Sequence, residues 1–211
     1  MKVNRIDRVQ RRMSAPARRA RIVSAAVDTF ASGGYGASGM GDVASRSGVT
    51  RAVVYDYFPS KKELFLAALQ EQSAAFLGYI GASITGEGTP EQRMRATVDT
   101  VFTFAERYPN AWRMLFVNAT HGDAEIDAAW SRVAEQRNHA VVELLADDLT
   151  SAGVDPSSKR AGLMVEMLVG ALTRAVEWRH DRRGIDRGEA IDAAMDLLWS
   201  GLARRAGGAL G

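Results

Sequence analysis

Residues 38–64 read SGMGDVASRSGVTRAVVYDYFPSKKEL, and the punctuation of this stretch decides the fold. Ser38 is a candidate N-cap for a helix over residues 39–47, with Asp42 placed near its positive end. Gly48 then supplies a turn position suited to positive φ. Thr50 caps a second helix over residues 50–58, which Pro59 ends. Ser60-Lys61-Lys62-Glu63 is a capping box that opens a longer helix reaching about Ile84. Two short helices about a tight glycine turn, followed by a capped third, form a helix-turn-helix.

Working upstream, residues 16–32 carry Ile22, Ala26 and Phe30 four apart on one helical face, and Gly33-Gly34 is expected to stop that helix. Residues 1–12 are polar and basic and form an arm. With Arg18, Arg19 and Arg21, the arm's Lys2, Arg5, Arg8, Arg11 and Arg12 stand against a single acid, Asp7. The charge of the chain is split. Residues 1–62 carry 12 Lys/Arg and four Asp, whereas residues 63–211 carry 15 Lys/Arg and 21 Asp/Glu. The first part therefore attracts polyanions and the remainder repels them.

Working downstream, helical spacing and helix-end residues continue, and no segment reads as a strand. Further helices are expected over residues 90–108, 111–119, 124–151, 156–183 and 186–205, about nine in all. Thr89-Pro90-Glu91-Gln92 repeats the capping logic. The fold class expected is all-α. A basic arm over residues 1–13 precedes a helix-turn-helix domain over 14–66, and a helical ligand-binding and dimerisation bundle fills 67–211.

Several function classes fall away. There is no cysteine, and His121, His139 and His180 are scattered, so no metal site is expected. No apolar run approaches the ~18 residues of a membrane span, and none follows the basic N-terminus as a secretory signal would require. The expected location is the cytoplasm. No nucleophile motif or paired catalytic carboxylates are present, so the expectation is a non-enzyme without cofactor. Residues 34–39 spell GxGxxG, but a helix precedes them where the dinucleotide fingerprint needs a strand.

The helix-turn-helix has a core of its own in Val43, Ala44, Val49, Val54 and Phe58, closed by Leu64, Phe65 and Ala68. This leaves Thr50, Arg51, Ala52, Val53, Tyr55 and Tyr57 facing outward. Arg51 can address a guanine edge, Ala52 and Val53 can approach thymine methyls, and the hydroxyls of Thr50, Tyr55 and Tyr57 can reach phosphates. Lys61, at a helix N-terminus, can neutralise a phosphate.

In order, these residues resemble the DNA-binding domain of the TetR family of bacterial transcriptional regulators. The matching text is Ile22, Ala25-Ala26, Phe30 and Gly34-Tyr35, then Met40-Gly41-Asp42-Val43-Ala44 and Ser47-Gly48-Val49-Thr50. It ends with Val54-Tyr55-Asp56-Tyr57-Phe58-Pro59-Ser60-Lys61 and Leu64-Phe65. The resemblance implies a recognition helix over 50–58, with Arg51, Ala52, Tyr55, Tyr57 and Lys61 at DNA-contact positions. It also implies that Ser38 stands where the family's phosphate-touching Thr does. Two departures stand out: Asp56, a carboxylate on the reading helix, and Gly39 and Gly41 in place of better helix formers.

The second part is rich in bulky residues. If its bundle holds an apolar cavity, as the resemblance implies, candidates to line it are Phe102, Tyr108, Trp112 and Phe116. Trp130, His139 and Trp178 complete that set, with His139 and Glu166 as polar anchors. For the dimer surface, one stripe carries Leu168, Leu172, Ala175 and Val176. The other carries Ile191, Met195, Leu198, Trp199 and Leu202. The partners expected are a double-stranded palindromic operator, a small-molecule effector and a second copy of the chain. The reading is a ligand-responsive regulator, a repressor before an activator, with a constitutive DNA binder as the first alternative and an all-α enzyme as the last.

Overall fold

The computed structural model describes residues 13–117, 122–182 and 184–208, with side chains as far as Trp199. Among the described residues ten helices follow one another: α1 Ala15–Ala37, α2 Met40–Ser47, α3 Arg51–Tyr57, α4 Lys61–Ile84, α5 Pro90–Arg107, α6 Pro109–Phe116, α7 Ala124–Leu144, α8 Ala146–Ser151, α9 Lys159–Asp181 and α10 Arg187–Gly208. Among the described residues there is no strand, and no helix is long and apolar enough to cross a membrane. The basic arm lies outside the described residues.

Most helix starts are set by local chemistry. The side chains of Ser14, Thr50, Ser60, Thr89 and Ser158 each accept a hydrogen bond from a backbone N–H in the first turn of the helix they open. Gly48 adopts φ 66°, the left-handed conformation expected of the turn.

Three boundaries differ from the sequence reading. The first helix does not stop at Gly33-Gly34. It continues to Ala37 through a break at Gly34, where φ is 75° and ψ is 160°. Ser38 does not cap α2; its buried hydroxyl donates to the Thr29 carbonyl at 3.2 Å. Gly39 is the capping residue instead, and its N–H is taken by the Asp42 carboxylate at 2.8 Å. The stretch 124–151 is two helices, which raises the expected nine to ten. Leu145 leaves helical geometry with ψ near 5°, and Asp147 and Asp148 then stand in the first turn of α8, where the helix dipole favours acids.

The N-terminal core forms as its spacing predicts. Ile22, Ala26 and Phe30 of α1 meet Val43 and Ala44 of α2, Val54 of α3 and Phe58, with Leu64, Phe65 and Ala68 of α4, all buried. α4 then leaves this head and becomes the spine of the second part. It packs against α5, α6 and α7 as well as α1. Its 24 residues span roughly 36 Å at ~1.5 Å per residue. α6 packs against α1, α4 and α5. α9 and α10 pack on each other and on α5, where the Glu106 carboxylate accepts from both Arg179 and Arg187.

Candidate DNA interface and the apolar cavity behind it

The reading helix α3 is anchored by one face. Val54 is fully buried, and Val53 and Tyr57 are half-buried against the head's core. Thr50, Arg51, Ala52, Tyr55 and Asp56 are exposed. The Thr50 hydroxyl oxygen accepts from the Val53 N–H at 3.4 Å, and its own hydrogen remains free to donate outward. Arg51 and Tyr55 are one helical turn apart and interact. The guanidinium donates to the Tyr55 hydroxyl at 3.2 Å and sits 5.5 Å from its ring centroid. The pair presents a cation and a hydroxyl as one exposed unit.

Lys61 opens α4 beside the tail of α1. Its ammonium lies 4.2 Å from the Tyr35 ring centroid and donates to the Gly36 carbonyl at 3.4 Å. Tyr35 in turn packs edge-on to Phe65 at 5.0 Å. Burial, with Asp123 and Glu125 nearby, raises the Tyr35 phenol above its usual range, against an opposing pull from Lys62. The ring is therefore a neutral platform that holds Lys61 at the rim of the head. Ser38 differs from the rest of the set, because its hydroxyl is turned inward. No ion pair of Asp56 with Arg46 or Arg51 is present among the described residues.

The head is tied to the second part at several points. Arg19 of α1 pairs with Glu71 of α4 at 2.5 Å, and Asn110 of α6 donates to Asp28 of α1 at 2.8 Å. Lys62 of α4 pairs with Glu125 of α7. α6 is thus held to the reading head by a direct side-chain bond.

On its other side α6 faces a cavity of about 790 Å³, at the upper part of the ~300–1,000 Å³ range of small-molecule sites. Its inner end is aromatic. Phe76 of α4 and Trp112 and Phe116 of α6 line it, with Trp112 and Phe116 ring centroids 4.3 Å apart. Ile80, Ile84, Met94, Val101, Val141 and Leu145 continue the apolar wall.

Of the residues picked from sequence as lining candidates, Trp112 and Phe116 lie on this cavity. Tyr108 lines a separate cleft of about 310 Å³ between α1, α4 and α6. Phe102 is core, 1% exposed. Trp130 donates its indole N–H to the Met114 carbonyl at 3.0 Å, and His139 is exposed beside Glu143. Trp178 is exposed, with the Arg182 guanidinium 5.5 Å from its ring centroid. Glu166 accepts from Asn138 at 2.7 Å and does not line the cavity. Sequence reasoning missed Phe76, Ile80 and Ile84, although their four-residue spacing on α4 was a readable stripe.

Behind Phe116 lies a buried cation. Arg137 of α7 stacks over the Phe116 ring at 4.3 Å and donates to the Leu115 carbonyl at 3.3 Å. Burial lowers its guanidinium to about 10, with Glu166 pulling the other way. It remains charged at neutral pH and holds the C-terminal turn of α6 against α7.

The dimer-surface candidates divide. Leu172, Ile191 and Met195 are buried within the protomer. Leu168, Ala175, Val176, Leu198 and Trp199 are half-buried, and the Leu202 side chain lies outside the described residues. Leu168, Leu198 and Trp199 also line the cavity. Among the described residues, the large apolar side chains left exposed on α9 and α10 are Leu163, Met167, Trp178 and Leu197, none of them in the expected stripes; Leu163, Met167 and Leu197 also lie along the cavity.

A helix-turn-helix head joined through shared helices to a cavity-bearing helical bundle defines a class: DNA-binding regulators. Residues 22–68 match the family model for bacterial regulatory proteins of the tetR family. The chain is 29% identical to the HTH-type transcriptional activator FasR of Mycolicibacterium smegmatis, over 90% of this chain and 85% of that protein. A solved TetR-like transcriptional regulator from Rhodococcus sp. RHA1 superposes with a TM-score of 0.72 at 25% identity, covering 91% of this chain and 99% of the other. FadR of Bacillus subtilis, solved in complex with stearoyl-CoA, shares the fold with a TM-score of 0.68 at 16% identity, over 85% and 95% of the two chains. The chain is a DNA-binding transcriptional regulator.

Proposed function

We propose that the protein acts as a homodimer on a palindromic operator and that a small apolar ligand in the cavity releases it. The observation that carries this reading is the sharing of helices. α4 and α6 each pack against the reading head and each contribute wall to the cavity. A ligand that spreads Phe76 from Trp112 and Phe116 moves α6 relative to α4. Asn110 transmits that movement to α1. The ligand then selects a conformer in which the two heads no longer match adjacent major grooves.

In this reading Arg51 and Ala52 face base edges, while Thr50, Tyr55, Tyr57 and Lys61 hold phosphates. Ser38 supports the head from within. The domain division follows the same logic: an arm over 1–13, a DNA-binding head over 14–66 and a sensing and dimerising body over 67–211. The second copy docks on α9 and α10 through exposed Leu163, Met167 and Leu197. A two-fold axis there sets the recognition helices about one DNA turn apart, roughly 34–36 Å.

The first reading is repression by occlusion of a promoter. A second is favoured by the name of the FasR relative, an activator; the same operator-bound dimer then recruits transcription. Selection of binding sites from random duplex DNA tests the shared core. An inverted repeat with half-sites about 10 base pairs apart is expected, and a single asymmetric half-site would refute the dimeric reading. A reporter carrying that site then separates repression from activation.

A further inference from the structure

Asp56 stands one residue from the C-terminal end of α3, where the helix dipole disfavours an acid. It is exposed, and among the described residues no hydrogen bond or ion pair engages its carboxylate. The Arg51 guanidinium is taken up by the Tyr55 hydroxyl at 3.2 Å, so Asp56 does not neutralise it. On a face turned toward DNA the carboxylate is also repelled by every phosphate nearby. Fold stability and general DNA affinity therefore both favour a neutral or basic residue at this position.

The direction of Asp56 is set by Val54, the fully buried anchor of α3. At 3.6 residues per turn, Ala52 and Asp56 each lie about 160° around the helix from Val54. They are four residues apart and share the outermost face, and both are exposed. Ala52 carries only a methyl group. Nothing long on the preceding turn therefore keeps the short Asp56 side chain away from a base pair.

We infer that Asp56 reads a cytosine in each half-site, its carboxylate accepting a hydrogen bond from the N4 amino group in the major groove. This rests on α3 being the recognition helix of the proposed function. The base edges select the partner. Guanine presents the acceptors N7 and O6, thymine presents O4, and adenine sets the acceptor N7 beside its N6 amino group. Cytosine alone offers a donor without an acceptor on the same edge. Repulsion from phosphates is felt on every sequence and the hydrogen bond on one, so the acid lowers general affinity and raises discrimination. Asp56 follows Arg51 by five residues, ~7.5 Å along the helix at ~1.5 Å per residue. The cytosine is therefore expected within about three base pairs, ~3.4 Å each, of the guanine that Arg51 addresses.

The test uses the full-length protein. Sites are selected from random duplex DNA with the parent, Asp56→Ala, Asp56→Asn and Arg51→Ala, and circular dichroism checks that each is folded. The parent should select an invariant cytosine in each half-site, near the guanine whose preference Arg51→Ala relaxes. Asp56→Ala should lose the cytosine preference, bind the parent's operator about fivefold more weakly and bind random DNA severalfold more tightly. Asp56→Asn should move the preference to adenine, because a carboxamide pairs with N6 and N7 together. Exchanging the cytosine pair for a thymine pair in the operator should weaken the parent about tenfold and leave Asp56→Ala within twofold. An equal gain by Asp56→Ala on operator and random DNA, with the selected sequence unchanged, would overturn cytosine reading and leave α3 standing as the recognition helix. A parent that selects no sequence would overturn α3 as a reader, and the role of Asp56 with it.

Discussion

Gly48 holds φ 66°, and the Arg21 guanidinium lies 2.8 Å from where a Cβ would stand. Both facts fix the turn that sets α3 against α2. Gly48→Ala should cost about 1–2 kcal/mol, read as a lowered denaturant midpoint with unchanged slope. Arg51→Ala should remove about 1–3 kcal/mol of specific operator affinity while sparing random DNA. Equal loss on both duplexes would reassign Arg51 from base reading to phosphate contact. Residue roles set by near neighbours were legible in the sequence. Thr50, Ser60 and Thr89 cap the helices they were expected to cap, because a cap needs only a hydroxyl and an N–H three residues on. Ser38 was not legible, because its hydroxyl answers to the Thr29 carbonyl, nine residues back, across a break at Gly34. Arg137 was missed for the same reason. Nothing in its own helical stretch says that it will stack on Phe116, 21 positions earlier.

At the scale of elements, the helix-turn-helix and the long α4 were readable because their apolar spacing and caps agree. The α7–α8 break was not, since no glycine or proline marks Leu145; the acids that follow it take up a helix start and the pairing with Arg93. In the proposed mechanism α6 is the element on which the coupling turns. It is held by Asn110 to the head and by Arg137 to α7. Arg137→Met removes a buried charge along with its bond to the Leu115 carbonyl. The change in global stability should stay within about 2 kcal/mol, because the desolvation relieved offsets the bond lost. The response of DNA binding to effector should weaken. The pH dependence follows from the lowered guanidinium. Between about 10 and its unfolded value the unfolded chain binds more protons, so this group adds stability only as pH rises through that window. Between pH 6 and 9 the stability profiles of variant and parent should run parallel. A difference in slope there would contradict the burial of a fixed charge.

The whole molecule separates its charge between a basic first part and an acidic second part. The sequence stripes expected on α9 and α10 mixed two jobs, because helical spacing shows which residues are apolar and not which neighbour covers them. Leu172, Ile191 and Met195 pack inside the protomer, while Leu163, Met167 and Leu197 are left outside. Met167→Glu should therefore yield a folded monomer by circular dichroism and light scattering, whereas Leu172→Glu should unfold the chain. A Met167→Glu dimer would place the interface elsewhere. The central claim is that the cavity governs the head. Fluorescence anisotropy of the selected operator, titrated with protein at zero and saturating stearoyl-CoA, the ligand of the FadR neighbour used here as a probe, measures it directly, with Met164→Trp as the cavity-filled control. The account predicts at least a tenfold loss of operator affinity in the parent and little change in the control. Ligand that demonstrably fills the cavity while operator affinity stays constant would contradict it.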